Sequence, residues 1–323
     1  MREIGLRVAG MFFAVTAMAA PNLAPAILTF PELKALEVKV AAHPEDRESA
    51  ALLGQNYAVA ITGVTELSPY NTPTKFGALG EAAAYSRTAV AQSHSGAVLG
   101  PTGRALVIYT RRLPGLDSNE AQDLALSCIE RAIEIEPAKP SWRQQHIALI
   151  IMREQFPRWR PLDSAAALAL VEPDLAEMKG NYRSAVLGGI ALQAYRAGNL
   201  NRAAALAQEL LATAKSPKDW GYGNAIFKGN EVLGLIALKH RDLAGAKTYL
   251  KLSAEMDGSP VLKSFGPNMA LAAGLLDAGE KEAVAAFLEQ CKTFWKMDNG
   301  KLREWQVLVQ GGVKPNFGAN LNY

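Results

Sequence analysis

Charge of one sign, cysteine, histidine and aromatic rings are all scarce in this chain, and each shortage removes a class of function. Across 323 residues the formal charge is only +3. A phosphate-binding surface needs Lys and Arg concentrated on one face. The short basic spots at Arg111–Arg112 and at Arg158 with Arg160 read as solvated helix ends or loops. Nucleic acid is therefore not an expected partner. The two cysteines, Cys128 and Cys291, form neither a CxxC nor a zinc spacing. Both fall in amphipathic stretches where a free thiol packs as a small hydrophobe; a disulfide between them stays open as an alternative in an oxidising compartment. The four histidines, His43, His94, His146 and His240, share no helix face, and HExxH is absent. No metal site, and no cofactor, is expected.

Aromatics make up only 7% of the chain and β-branched runs are few, which argues against a sheet protein. What is present is alanine in abundance within a 49% hydrophobic chain. That balance suits helices packed closely through small side chains, and apolar spacing is helical almost throughout. The first 20 residues are the exception. Arg2 and Arg7 precede an unbroken small and apolar run from Val8 to Ala20, and Ala17-Met18-Ala19 offers a cleavage site before Pro21. The run is shorter than the ~20 residues that span a bilayer. Residues 1–20 are expected to be a signal peptide of the general secretory type. The protein would then be periplasmic or secreted, with no integral span after signal removal; a cytoplasmic location is the alternative.

Within the helical remainder, partial repeats recur. In Asn230–Met256, Leu233-Gly234 sits in a first helix, Asp242-Leu243 follows a turn, and Ala246, Leu250 and Ser253 share one face of a second helix. Gly234 and Ala246 are small where two backbones would approach. Arg241 stands at a turn position that favours glycine in a left-handed conformation. A second unit reads Ile190-Ala191, Tyr195, Gly198-Asn199-Leu200, then Ala203 and Ala207. A third reads Leu271-Ala272, Gly279-Glu280, then Val284, Leu288 and Cys291. Ala125, Ile129, Ala132 and Pro137, followed by Trp142, and Leu53-Gly54 with Tyr57 add two fragments. Together these residues resemble the tetratricopeptide repeat family, whose unit is two antiparallel helices in about 34 residues. The spacing here is longer and irregular, as in a divergent member.

The resemblance implies an all-α fold of antiparallel helix pairs stacked as a tetratricopeptide-like superhelix, or solenoid, over 21–300. Irregular inserts are expected near 66–118 and 155–175, and a C-terminal tail over 301–323 packing on the array. In the second insert, Asp163 or Ser164 is a candidate cap for a short helix among Pro157, Pro161 and Pro173. The last third also looks like a recurrent segment of uncharacterised bacterial helical-repeat proteins. Its carriers are Asp219–Asn224, Gly258-Ser259-Pro260, Ser264–Met269, Phe294-Trp295 and Phe317–Leu321.

No catalytic constellation emerges. Ser93-His94-Ser95-Gly96 lacks the G-x-S-x-G order of a hydrolase elbow. Gly100-Pro101-Thr102-Gly103-Arg104 lacks the Gly-Lys-Ser/Thr ending of a phosphate loop. Both read as surface turns. Glu130, Glu134 and Glu136 read as a solvated glutamate ladder. In tetratricopeptide arrays the first helix of each pair lines a concave groove that binds peptides or partner helices. Carried onto this chain, that implies a groove of Tyr195, Arg196, Lys228, Glu231 and Lys239, with Trp220 and Tyr222 as aromatic anchors. The expected function is a non-catalytic, exported, protein- or peptide-binding repeat protein. Two alternatives stand beside it: an envelope enzyme using His94, Ser95, Arg104 and Tyr109 of the 66–118 insert, and a structural part of an envelope complex.

Overall fold

The computed structural model describes residues 28–50, 52–53, 56, 93–96, 99–100, 102–103, 106, 118–155 and 162–321. The signal segment, most of the 66–118 insert, Arg104 and Tyr109 lie outside the described residues. Among those described, every regular element is helical. The elements are α1 (Phe30–Ala42), α2 (Ser118–Ile135), α3 (Pro140–Gln155), α4 (Ser164–Glu177), α5 (Gly180–Arg196) and α6 (Leu200–Thr213). They continue with α7 (Tyr222–Lys239), α8 (Leu243–Ser253), α9 (Pro260–Phe265), α10 (Ala270–Asp277), α11 (Lys281–Cys291) and α12 (Lys301–Gln310), closed by a 3-10 turn at Gly318–Leu321. They fall into two compact units, divided within α3 between Leu149 and Ile150.

The later unit is organised by three turns of one design. At Gly198, Arg241 and Gly279 the backbone is left-handed, with φ of 79°, 62° and 84°. In each, the residue's N–H reaches back to a helix carbonyl: Gly198 to Tyr195, Arg241 to Leu238 and Gly279 to Leu276. The next N–H closes the longer loop, from Asn199 to Ala194 O, Asp242 to Ala237 O and Glu280 to Leu275 O, each at 2.9 Å. This double bond satisfies the last carbonyls of the first helix. Asn199 and Asp242 then cap the second helix, accepting from Arg202 N at 3.2 Å and Gly245 N at 2.9 Å. The turns therefore join α5 to α6, α7 to α8 and α10 to α11. Each pair also meets the next: α6 packs on α7 and α8 on α10, while α5, α7 and α10 touch in series. Two long connections, Ala214–Gly221 and Ala254–Met269 with α9 inside it, separate the pairs and account for the irregular spacing.

Small residues stand where these helices approach. A side chain at Gly234 would run into Leu271 of α10 and lie 3.1 Å from Tyr249 Cβ of α8. One at Gly229 would meet the backbone oxygen of Ala207 at 3.2 Å. Ala246, Ala203 and Ala207 are wholly buried.

Two local expectations are corrected. Residues 164–177 form one continuous helix through Pro173, capped by Asp163, which accepts from Ala166 N at 2.7 Å. Proline removes one helix hydrogen bond, but Pro173 faces solvent, where water satisfies the freed carbonyl. In the other unit, the supposed surface turn around Gly100 is helical and buried. Leu99, Thr102 and Leu106 are fully covered, and a Cβ on Gly100 would enter the Trp142 ring. Gly96, Gly100 and Gly103 are a close-approach stripe, and a Cβ on Gly103 would fall 3.0 Å from the Ala125 carbonyl oxygen. Glycine content suggested a loop, whereas the i, i+4, i+7 spacing was helical.

The separated segments of the last third meet at one node. Gly223 lets α7 begin against the backbone of Gly258, and Ser259 Oγ donates to Asn224 Oδ1 at 2.7 Å while capping α9. Gly266, at φ 80°, lies flat against Trp295. Trp295 and Trp305 are 5.7 Å apart between ring centres, and Phe317 meets Trp305 edge-on at 4.9 Å. Asn320 Nδ2 donates to the carbonyls of Phe265 and Pro267, and its own carbonyl accepts from Met269 N at 2.7 Å.

Candidate groove between α5 and α7

The first helices α5 and α7 lie side by side with matched direction: Gly188 faces Lys228, and Tyr195 faces Lys239 further along. Gly188 is what admits Lys228. A Cβ there would sit 2.6 Å from Lys228 Cδ, so the missing side chain leaves a channel for the lysine stem. The Lys239 ammonium lies 5.6 Å from the Tyr195 ring centre, within reach of a cation–π attraction.

Glu231, one turn after Lys228, is the unusual member. Only 3% of it is exposed, and its Oε1 has no hydrogen-bond partner. Burial pushes its carboxyl up to about 8, a rise that Lys228 and Arg196 only partly oppose. Burial also lowers the half-buried Lys228 ammonium, with Glu231 partly restoring it. Both partners lean towards their uncharged forms because water is excluded and direct pairing does not replace it. Desolvation likewise raises the Tyr195 hydroxyl.

Five of the seven sequence-derived residues thus gather along one seam: Tyr195 with Lys239, and Lys228 and Glu231 with Arg196. The other two do not join it. Trp220 (48% exposed) and the half-buried Tyr222 sit before and at the start of α7, at the opposite end from Lys239. No hydrogen bond or ring contact among the described residues links them to the seam. The pairing of Gly188 with Lys228 was missed, although the Gly188-Gly189 doublet inside a helical pattern signals close approach. Phe294 and Trp295, weighed as anchors or seals, are buried in the node.

The residues of the alternative enzyme reading are placed differently. His94 is exposed; its backbone N–H donates to Glu48, and its Nδ1 lies 3.5 Å from the Arg131 guanidinium. A guanidinium cannot accept a proton, so this neighbour does not activate the ring as a base. Ser95 N–H donates to Ser93 Oγ at 3.1 Å. Glu136 accepts from Trp142 Nε1 at 2.7 Å and from Lys139, which fixes it as a structural acceptor. His146 is buried, its Nε2 3.7 Å from Glu130. Cys128 and Cys291 are free, buried thiols, and burial raises both well above the range of a reactive thiol. Among the described residues no group of His, Cys, Asp or Glu could hold a metal ion, and no helix is long and apolar enough to cross a membrane. The chain matches no protein-family model and no curated protein.

Proposed function

We propose that the protein is a tetratricopeptide-like helical-repeat protein that binds a polypeptide segment along the α5–α7 seam, acting by recognition and not by catalysis. One observation carries the reading: the desolvated Lys228 and Glu231 of α7 lie near Arg196 of the adjacent first helix, beside the Tyr195–Lys239 pair. Folding alone gives no gain from a buried carboxyl oxygen without a hydrogen-bond partner. A ligand that supplies the missing hydrogen bond would give that arrangement a purpose. The three equivalent turns and the serial contact of α5, α7 and α10 support stacked helix pairs of the tetratricopeptide kind, in which first helices face the ligand. The same proposal places the protein outside the cytoplasm, on the charged start, apolar run and cleavage pattern of residues 1–20.

The test is a pull-down from an envelope extract with the wild type and with Tyr195→Ala/Arg196→Ala. The double variant is expected to keep its fold and lose the captured partners. Recovery of the same partners would contradict the groove.

A further inference from the structure

We infer that Asn299 is a site of covalent self-modification, at which the exposed Asn299–Gly300 turn deamidates through a cyclic imide to aspartate and isoaspartate. It is the one Asn-Gly pair in the chain. The reaction needs a backbone nitrogen that is free to reach the carboxamide carbon of the residue before it. Glycine shields its own nitrogen least, because it has no Cβ. Both residues are exposed, and a Cβ on Gly300 would meet nothing within 4 Å. Among the described residues neither the Asn299 carboxamide nor the Gly300 N–H makes a hydrogen bond. The backbone is left-handed at both, with φ of 52° and 82°, and Lys301 N–H donates to Asp298 O across them at 3.1 Å. Asn-Gly suits a tight turn of this hand. Asn230 and Asn320, by contrast, are buried, and their carboxamides donate to backbone carbonyls.

The chemistry balances with water as the one co-reactant. The Gly300 nitrogen bonds to Asn299 Cγ, the Cγ–Nδ2 bond breaks, and the amide leaves as ammonia with the Gly300 proton. Water then opens the imide ring at either carbonyl. Opening at Cγ leaves an ordinary aspartate. Opening at the backbone carbonyl leaves isoaspartate, with the chain running on through Cγ. Ring closure swings the Asn299–Gly300 peptide group out of the turn, so the rate is set by how often the turn opens. Asp298 holds it shut: besides its carbonyl bond to Lys301, its Oδ2 accepts from Leu302 N at 3.0 Å. Either product places a new carboxylate beside Asp298, and isoaspartate also inserts an extra backbone carbon where α12 begins. Leu302 and Trp305 of that helix are buried, and Trp305 packs on Trp295 and Phe317, so the change reaches the aromatic node.

The test ages the full chain, native and unfolded in urea, in mildly alkaline buffer made with heavy-oxygen water. Digestion in ordinary water and mass spectrometry then tell product formed on ageing from product formed during handling. An isoaspartyl methyltransferase, which methylates isoaspartate and not aspartate, reads the share of each. In the native chain Asn299 is expected to react ahead of every other asparagine, to take up heavy oxygen and to yield isoaspartate. Asp298→Ala is expected to react about tenfold faster, as the loss of a hydrogen bond to a charged group implies. Asn299→Gln is expected to remove the product and to keep its tryptophan fluorescence on ageing, while that of the wild type shifts. A native chain with no product at Asn299 when half of the urea-unfolded chain has reacted there overturns the inference. Another asparagine reacting first does the same, as does an Asp298→Ala rate no faster than that of the wild type. If Asp298→Ala does not fold, the native wild-type chain decides alone.

Discussion

At the scale of single residues, the three turns form a natural comparison series. Gly198 and Gly279 adopt the left-handed conformation at no steric cost, and a Cβ on either would meet nothing within 4 Å. Arg241 adopts it with a side chain, at a cost of about 1 kcal/mol. Arg241→Gly is expected to raise stability by about 1 kcal/mol, and Gly198→Ala to lower it by about the same. Paired urea melts, with m unchanged, check both. Glu231 gives a prediction of the opposite kind. Its folded carboxyl titrates near 8 against 4.5 for the free group, so the unfolded chain binds fewer protons between those values. Stability contributed by this group is therefore lost as pH rises from about 4.5 to 8. Glu231→Gln should be the more stable protein near neutral pH, with the advantage fading below about pH 4.5. Melting temperatures across that range would show no convergence if Glu231 were an ordinary surface carboxylate.

At the scale of elements, what could be read from the sequence depended on whether a signal was local. Turn residues and caps act within one helix pair, and they were legible, as were the small positions Gly234 and Ala246, although Gly234 also admits Leu271 of the next pair. Pro173 was not, because proline breaks a helix only where nothing else satisfies the freed carbonyl, and its exposure on α4 is a tertiary fact. Pro173→Ala is expected to stabilise the protein by roughly 1–3 kcal/mol, the range between a relieved and a fully costed helix proline; a thermal melt that falls would show that the proline is required. Gly100 was misread for a related reason. Glycine marks both loops and tight helix crossings, and only the ring of Trp142 lying where a Cβ would stand separates the two. In the candidate seam, the identities of Tyr195, Arg196, Lys228, Glu231 and Lys239 followed from repeat register. The burial of Glu231 depends on α5 lying alongside α7, which no residue on α7 announces.

At the scale of the molecule, the described chain divides its work. Segments of the last third that are far apart in sequence, from Gly223 to Asn320, are joined by glycine contacts, stacked rings and backbone-directed amides. Those residues are occupied in holding α7, α9 and α12 together. The seam residues are not needed for that assembly, and one buried oxygen among them is left without a partner. Because the node also holds an unpartnered buried atom, Trp295 Nε1, the proposal of recognition at the seam rests on the buried Glu231 lying with Lys228 and Arg196 beside the Tyr195–Lys239 pair. The most direct measurement is site-specific photocrosslinking of the full chain in the cells that produce it. A photoreactive phenylalanine would replace Tyr195 in one variant and Leu252, exposed on α8, in another. The account predicts polypeptide adducts from position 195 and none from 252. Adducts of equal yield from both positions, or from 252 alone, would contradict it.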